Sequence, residues 1–489
     1  MALKKHCTIF ALLLMNGLLA GQVADAQTLQ EAVGQIITTN PDVRSMGHNR
    51  LGRDEEVRQA RAGYFPTLDF EAGTGRDYVD KPFDGDTTPQ LVRIGVRQNI
   101  FAGLSTMNEV ARQKARVESQ AYIVRSTADN TALKATNVYL EVLKNQAIVD
   151  LAQENLTIHQ RIADQIKLRS ESGVDRLADM DQIQSRLQLA YANLVVAEQG
   201  LLDAQANYNA VIGNLPSQLT RPDSPAPLLP PSREEAERLA IANHPQLKSA
   251  VFDLEARRKQ DEVAKSPFMP IIDFEADKVW EKDTYLNDYY YGDEREDLRL
   301  FLRFRYNLFN GWKDEARKKE TAHLINEARE IKNHTHRQVV ESLRLSWQAY
   351  EASRKKTNYF RQRQQFAANT ATAYTKQWNI GQRTLLDVLD AEAERIDSGR
   401  QLVTAEYDGL YAGYRILNSI GKLIPSLNLQ WPEEGAVNDR EYDLSSDPET
   451  STLTQSPQKI AQAQAEGTTI ATSSTTNRSQ IKLNPMGQK

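Results

Sequence analysis

Hydrophobic positions along this chain change period in a fixed order, and that order occurs twice. From Leu29 to Ala62 apolar residues recur at helical spacing, with Asn40-Pro41 marking a break near the start. After Pro66 the period drops to two. Leu68, Phe70 and Ala72 alternate with Asp69 and Glu71, then Val92, Ile94 and Val96 alternate with Arg93, Gly95 and Arg97. Such alternation predicts a β-hairpin with one apolar and one charged face. Past Gly103 the helical period returns and meets no proline until Pro216, with one interruption near Gly173. From Ser232 the succession starts again. A helix breaks at His244-Pro245; Ile272, Phe274, Ala276 and then Leu300, Leu302, Phe304 alternate with charged residues after Pro270; helix resumes past Gly311 and is interrupted at Gly381.

The two rounds keep a nearly constant distance. Pro66-Thr-Leu-Asp-Phe-Glu-Ala72 and Pro270-Ile-Ile-Asp-Phe-Glu-Ala276 lie 204 residues apart. Ile100-Phe-Ala-Gly103 and Leu308-Phe-Asn-Gly311, Gly173 and Gly381, Asp179 and Asp387, and Gly213 and Gly421 all lie 208 apart. One structural unit is used twice, with a four-residue insertion between the offsets. The expected division is a first repeat over 27–213, a proline-rich linker over 214–233, a second repeat over 234–430 and a polar, low-complexity, disordered or loosely bound tail over 431–489.

Element lengths predict the packing. The helix between Gly103 and Gly173 would run about 70 residues, or ~105 Å. The return helix to Ile212 reaches roughly 58 Å, and the opening helix adds roughly 50 Å more. Each repeat therefore predicts one long helix against two shorter ones stacked end to end, and the chain four columns of a long hollow cylinder. In the first return helix Met180, Leu187, Leu194, Leu201 and Tyr208 recur every seven residues, interleaved with Ile183, Ala190, Ala197, Ala204 and Val211. The second keeps the small row as Ala391, Ser398, Ala405, Ala412 and Ser419, beside Leu389, Ile396, Val403, Leu410 and Leu417. A seven-residue period is that of a left-handed coiled coil, although an ordinary bundle core would carry the same stripes.

The hairpins admit two readings. An alternating strand packs equally well on a soluble core, but nothing else in the chain reads as a second sheet, and the hairpin segments are rich in Tyr64, Phe65, Tyr78, Trp280, Tyr285, Tyr289, Tyr290, Tyr291 and Trp312, as membrane-interface belts are. Four strands in lipid would leave two edges of unpaired backbone at several kcal/mol per group, so the chain must associate. Two chains would close an eight-strand barrel filled by its own side chains; three give twelve strands and the first useful lumen.

Composition narrows the class further. Lys4 and Lys5, an apolar run from Ile9 to Ala20 and Ala24-Asp25-Ala26 read as a secretory leader over 1–26, with Gln27 the expected mature start. The single cysteine, Cys7, lies in that leader, which leaves no thiol for a disulfide, a metal site or a lipid anchor. A mean hydropathy of −0.58 excludes an inner-membrane helical protein, and a net charge of −5 without a basic cluster gives nucleic-acid binding no support. His334 and His336, two apart in a helix, face different ways and make no metal site. No nucleophile motif, nucleotide loop or cofactor motif is present, so neither an enzyme nor a cofactor is expected.

Tyr64-Phe-Pro-Thr-Leu and Pro267-Phe-Met-Pro-Ile entering the strands, Gln98-Asn-Ile-Phe-Ala-Gly103 and Tyr306-Asn-Leu-Phe-Asn-Gly311 leaving them, and Ile380-Gly-Gln-Arg-Thr-Leu-Leu-Asp-Val-Leu-Asp390 together resemble the TolC outer-membrane efflux protein family over roughly residues 29–430. That resemblance implies a mainly α fold with a transmembrane β-barrel portion. It also implies a homotrimer in the outer-membrane lipids whose helical barrel tapers shut at hairpin tips in the periplasm. Its partners would be a periplasmic adaptor and an inner-membrane ABC exporter or proton-driven pump. By the family pattern Gly173 and Gly381 are the turn-back points, Asp387 and Asp390 an aperture ring of carboxylates, and Asp179, Trp378 and Arg383 a latch between neighbouring hairpins. Spacing alone leaves Asp387 and Asp390 equally readable as helix-start acids. The implied activity is passive export, in type I secretion or, alternatively, in a tripartite multidrug efflux pump; a periplasmic coiled-coil scaffold is the rival from another class.

Overall fold

The computed structural model describes residues 26–79, 85–171, 177–282 and 294–437. The leader, Gly173, the aromatic residues Tyr285 to Tyr291 and the tail from 438 onward lie outside the described residues. The first repeat comprises α1 (Leu29–Thr39), α2 (Pro41–Ala62), β1 (Thr67–Thr74), β2 (Asp77–Val79), β3 (Gly85–Thr87), β4 (Gln90–Ala102), α3 (Ser105–Glu171) and α4 (Leu177–Ile212). The second comprises α5 (Arg233–Asn243), α6 (Pro245–Lys265), β5 (Ile271–Lys282), β6 (Glu294–Arg305), α7 (Lys313–Asn379) and α8 (Leu385–Ser419), followed by one helical turn, α9 (Leu423–Ser426).

The expected breaks at the X-Pro pairs are junctions between two helices. Thr28 and Glu31 form a capping box that starts α1, whose buried face is Leu29, Ala32, Val33, Ile36 and Ile37, the spacing of one helix stripe. Asn40 ends α1 by donating its backbone N–H to Ile36 and begins α2 by accepting the N–H groups of Asp42 and Val43 at 2.8 and 3.3 Å, while Pro41 occupies the first helical turn. In the second repeat Ser232 caps α5, but His244 makes no side-chain cap at the start of α6.

The long helices α3 and α7 contain 67 residues each, about 100 Å of helix. Helix α3 packs against α2 and α4, which α1 connects, and against α6 and α8; α7 in turn packs on α6 and α8. The four expected columns are therefore present in the order α2/α4, α3, α6/α8, α7. The small residues of the seven-residue rows, Ala190, Ala197, Ala204 on α4 and Ala391, Ser398, Ala405, Ala412 on α8, are buried where these helices meet their neighbours. The main core joins both repeats around Ile36, Tyr139, Tyr208, Leu343, Ile416, Leu417 and Ile420. Tyr208 donates to the Gln27 side chain at 2.9 Å, and the Tyr139 hydroxyl lies 2.8 Å from the Gln27 carbonyl and 2.6 Å from that of Thr220. These bonds anchor the chain at the expected mature start.

The four long strands form one antiparallel sheet in the order β1-β4-β5-β6; β2 and β3 make a separate short ribbon that the sequence did not signal. Leu68 faces Val96, Val96 faces Ala276 and Ala276 faces Leu300, so the alternating positions of all four strands stay in phase. A bulge between Asn99 and Phe101 ends that phase at the helix-proximal rim. Gly103 has a φ of +59°, and a Cβ there would lie 2.5 Å from the Ser266 carbonyl oxygen, so the exit of the first hairpin presses directly on the entry of the second.

One expectation shifts. The chain does not loosen at Trp431: Arg125 lies over the Trp431 ring and donates to the Gly435 carbonyl at 2.6 Å, and a helical turn at Glu433–Gly435 packs on α3. The aromatic ring and a close glycine contact hold a segment whose polar composition alone gave no sign of docking.

Candidate functional site

The sheet separates its chemistry by face. Leu68, Phe70, Leu300, Leu302 and Phe304 point the same way and are between 63% and 72% exposed; Val92, Ile94 and Phe274 share that face and are less exposed. Each such side chain left in water forgoes about 1.5–3 kcal/mol of burial. The opposite face is a network of ion pairs. Arg93 donates to Asp277 at 2.8 Å, Arg303 to Glu275 at 2.8 Å, and Arg305 pairs with Asp273, which also accepts the Asn99 amide at 2.8 Å. Arg97 lies 3.7 Å from Glu275. Gly95 is essential to this arrangement, because a Cβ there would come within 2.7 Å of Asp277 Oδ1 and block its reach across β4 to Arg93. Among the described residues no strand lies beyond either outer strand, β1 or β6, and their side chains are exposed along almost the whole length. At the β1 edge Asp69 has no ion pair among the described residues, and Glu71 has only Arg93 at 3.9 Å.

The other end of chemical interest is the helical turn between α7 and α8. Gly381, at a φ of +76°, donates its N–H to the Trp378 carbonyl while Gln382 donates to Gln377, the paired bonds of a Schellman ending. Three residues later Thr384 and Asp387 form a capping box: Asp387 donates its N–H to Thr384 Oγ1 at 3.3 Å and its carboxylate accepts the Thr384 N–H at 3.1 Å and hydroxyl at 2.8 Å. These bonds, with nearby Arg383, hold the Asp387 carboxyl below the usual carboxylate range. Gly381 is thus the turn-back point of the second hairpin, and its counterpart Gly173 lies outside the described residues.

Within one chain the residues expected to form a latch make other contacts. Trp378 is 5% exposed and sits in an apolar cluster with Ile162, Ile166, Ile183, Leu385 and Leu389, with the Arg169 guanidinium 5.2 Å from its ring. Arg383 stacks on Tyr374 at 4.2 Å and donates to Gln377 at 3.0 Å. No described contact joins Asp179 to either. Asp390 accepts from Arg186 at 3.1 Å, and Glu154 accepts from Arg395 at 3.0 Å. Arg186 and Glu154 belong to the first hairpin, Asp390 and Arg395 to the second, so the contacts that tie the hairpins together are Arg169–Trp378, Arg186–Asp390 and Glu154–Arg395. Nothing in the sequence pattern paired these residues, because the helices of the two hairpins meet only through the tertiary fold.

Known proteins share this arrangement. The outer membrane efflux protein family profile matches residues 32–214 and 238–422, one match on each repeat. The outer membrane efflux protein BepC of Brucella suis is 26% identical over 450 residues, covering 90% of this chain and 97% of BepC. TolC of Escherichia coli is 22% identical over 441 residues, 86% of this chain and 87% of TolC. Among solved structures, the outer-membrane protein VceC of Vibrio cholerae superposes with a TM-score of 0.68 at 18% identity, over 81% of this chain and 96% of VceC. The profile's double match, on a fold held in common with solved outer-membrane channels and with an apolar sheet face suited to lipid, makes this chain an outer-membrane protein of the outer membrane efflux protein family.

Proposed function

We propose that three copies of the chain close into one tube and serve as the passive export duct of a type I secretion system, receiving substrate from an inner-membrane ABC exporter through a periplasmic adaptor. The carrying observation is the sheet: apolar on one face, ion-paired on the other, and open at both edges. In lipid those edges require a partner strand, and antiparallel order is preserved when β6 meets β1 of another copy. The helices have matching free edges. On α7 and its C-cap, Ile331, Leu345, Tyr359, Phe366 and Ile380 keep multiples of seven and are 50% to 69% exposed. On the opposite edge column, α4 exposes Leu189 and Val196, and Val195 and Leu202, also seven apart. These rows are unused coiled-coil seams that a second copy would bury.

In such a tube Asp387 and Asp390 of three copies gather six carboxylates near the hairpin tips, an aperture ring that binds cations. The edges that meet also bring the turn holding Arg383, beside Trp378, toward the first turn of α4, where Asp179 lies; the latch is accordingly a contact between copies. Asp390→Ala should weaken block of single-channel current by multivalent cations, and unchanged block would reject the ring.

Secretion is favoured by the relative named alkaline protease secretion protein AprF of Pseudomonas aeruginosa. The name of BepC favours the second reading, a multidrug efflux duct. Deleting the gene separates them. Loss of a protein from the culture medium with drug susceptibility unchanged supports secretion; increased drug susceptibility with an unchanged secreted set supports efflux and overturns the proposal.

A further inference from the structure

Where α2, α3 and α6 run together near the sheet they frame a cavity of about 370 Å³ whose chemistry passive export does not use. Its charged lining is one-sided: the guanidiniums of Arg53, Arg112, Arg116 and Arg257 stand against a single carboxylate, Asp253. Helical spacing gathers them. Arg112, Arg116 and Ile123 share one face of α3, and Asp253, Arg257 and Gln260 one face of α6, at intervals of three, four or seven. The two helices approach closely beside the cavity through buried Ser119 and Ser249, whose hydroxyls lie 3.0 Å apart. All four arginines lie roughly 10–17 Å of helix from the ends that join the sheet.

The arginines are only partly neutralised. Glu56 pairs with both Arg53 and Arg116 at 2.7 Å, and Glu109 with Arg112 at 2.6 Å. Arg257 has no carboxylate partner among the described residues and donates to Gln260 at 3.1 Å. Of the five donors on each guanidinium, the Nη2 groups of Arg53, Arg116 and Arg257 are uncommitted among the described residues. The positive charge is concentrated enough to act on itself: burial first, and then the Arg53 guanidinium, hold Arg116 below the usual arginine range despite its pair with Glu56. Forked donors from three helices, around a space within the ~300–1,000 Å³ of ordinary small-ligand sites, suit the oxygens of phosphate groups.

We propose that this cavity binds a soluble anion carrying more than one phosphate group. A lone carboxylate offers two oxygens, whereas linked phosphates present oxygens on several sides, as donors converging from α2, α3 and α6 require. The site is contained in one chain. On α3, Ala121, Val124 and Arg125, which carry the turn at Gly435, lie on the opposite side of the helix from Arg112 and Arg116. In the tube proposed above the side bearing that turn is the outside, since three copies of the docked segment would otherwise cross the passage; this placement, unlike the site itself, rests on that assembly. The cavity then opens to the passage near the sheet, where a phosphorylated solute in transit is retained.

Isothermal titration of the full chain, solubilised in mild detergent, with sodium tripolyphosphate tests the site. One molecule should bind per chain, and more weakly as NaCl rises. Arg257→Gln breaks no ion pair among the described residues, so it should leave the apparent Tm unchanged while weakening binding about tenfold or more through lost charge-assisted hydrogen bonds. Asp253→Asn removes the opposing carboxylate and should tighten binding, a gain that damage to the fold does not give. No binding, or an affinity that neither substitution moves, overturns the site and leaves the tube intact. Binding that is kept in nanodiscs of zwitterionic lipid but abolished in nanodiscs of anionic phospholipid would make a lipid headgroup the ligand and overturn the soluble source. Wild-type chains that bind tripolyphosphate yet form no oligomer overturn the assembly and the placement at the passage, and uphold the site.

Discussion

Near the tips, Trp378 anchors the apolar cluster that joins the two hairpins of one chain, and truncating it should loosen the tip of the second hairpin without unfolding the rest. Its indole is 5% exposed among Ile162, Ile166, Ile183, Leu385 and Leu389, an environment in which a large-to-alanine change costs about 3–5 kcal/mol. The lost stacking of Arg169 falls within that range. By contrast the Arg186–Asp390 pair, with side chains 34% and 61% exposed, contributes ~0.2–1 kcal/mol. The main core around Leu343 and Ile416 forms a separate cluster, so the loss appears as local opening. For amides in α7 and α8 that exchange through this opening, about 3 kcal/mol corresponds to roughly a hundredfold faster hydrogen exchange in Trp378→Ala, against at most about fivefold in Arg186→Ala. Single-channel conductance should rise in the same order. Exchange in Trp378→Ala within about threefold of wild type, or equal acceleration in Arg186→Ala, would refute the claim that apolar packing and not the ion pair holds the tip.

The Nδ1 of half-buried His244 is shielded from water and has no hydrogen-bond partner among the described residues, and desolvation lowers the pKa to about 4, so it supports folding above its ordinary 6.5 and that support is lost as pH falls through 4. His244→Asn should supply the cap that Asn40 provides in the first repeat, adding about 1 kcal/mol, and should narrow the difference in apparent Tm between pH 5 and pH 7.5; an unchanged difference would remove His244 from the account. Asp129 behaves in the opposite sense. Burial raises its pKa to about 8, so its contribution is complete below 3.8 and disappears as pH rises through 8. Asp129→Asn keeps an acceptor for the Ile424 N–H, now 3.3 Å away, and should melt above wild type at pH 8.5 but level with it near pH 4. Gly103→Ala should lower the yield of oligomers, because its Cβ would collide with the Ser266 carbonyl where the two strand hairpins meet; a normal yield would count against that junction.

Much of this architecture is legible in the sequence because each element carries its own local signal. Strand phase is set by Leu68, Phe70, Ala72 and their counterparts, helix junctions by Asn40-Pro41 and His244-Pro245, and column lengths by the distance between glycines. The repeat then supplies the order of the columns. What stays hidden depends on contacts far apart in sequence. Arg186 meets Asp390 only because the fold brings α4 to α8, and Arg125 reaches Gly435 across 310 positions. The exposed rows on α7 and α4 have the same seven-residue period as the buried ones, so period alone cannot separate a seam within the chain from one between chains. Asp387 shows a further limit. The same carboxylate serves as a helix cap within one chain and would also belong to the ring proposed among several.

The central claim is that open four-strand sheets become one membrane-spanning tube by joining three copies. Native mass spectrometry of the protein released from outer membranes in mild detergent tests it most directly. The account predicts a single species of three chains that converts to monomer on heating; a stable monomer, or a dimer, would contradict it.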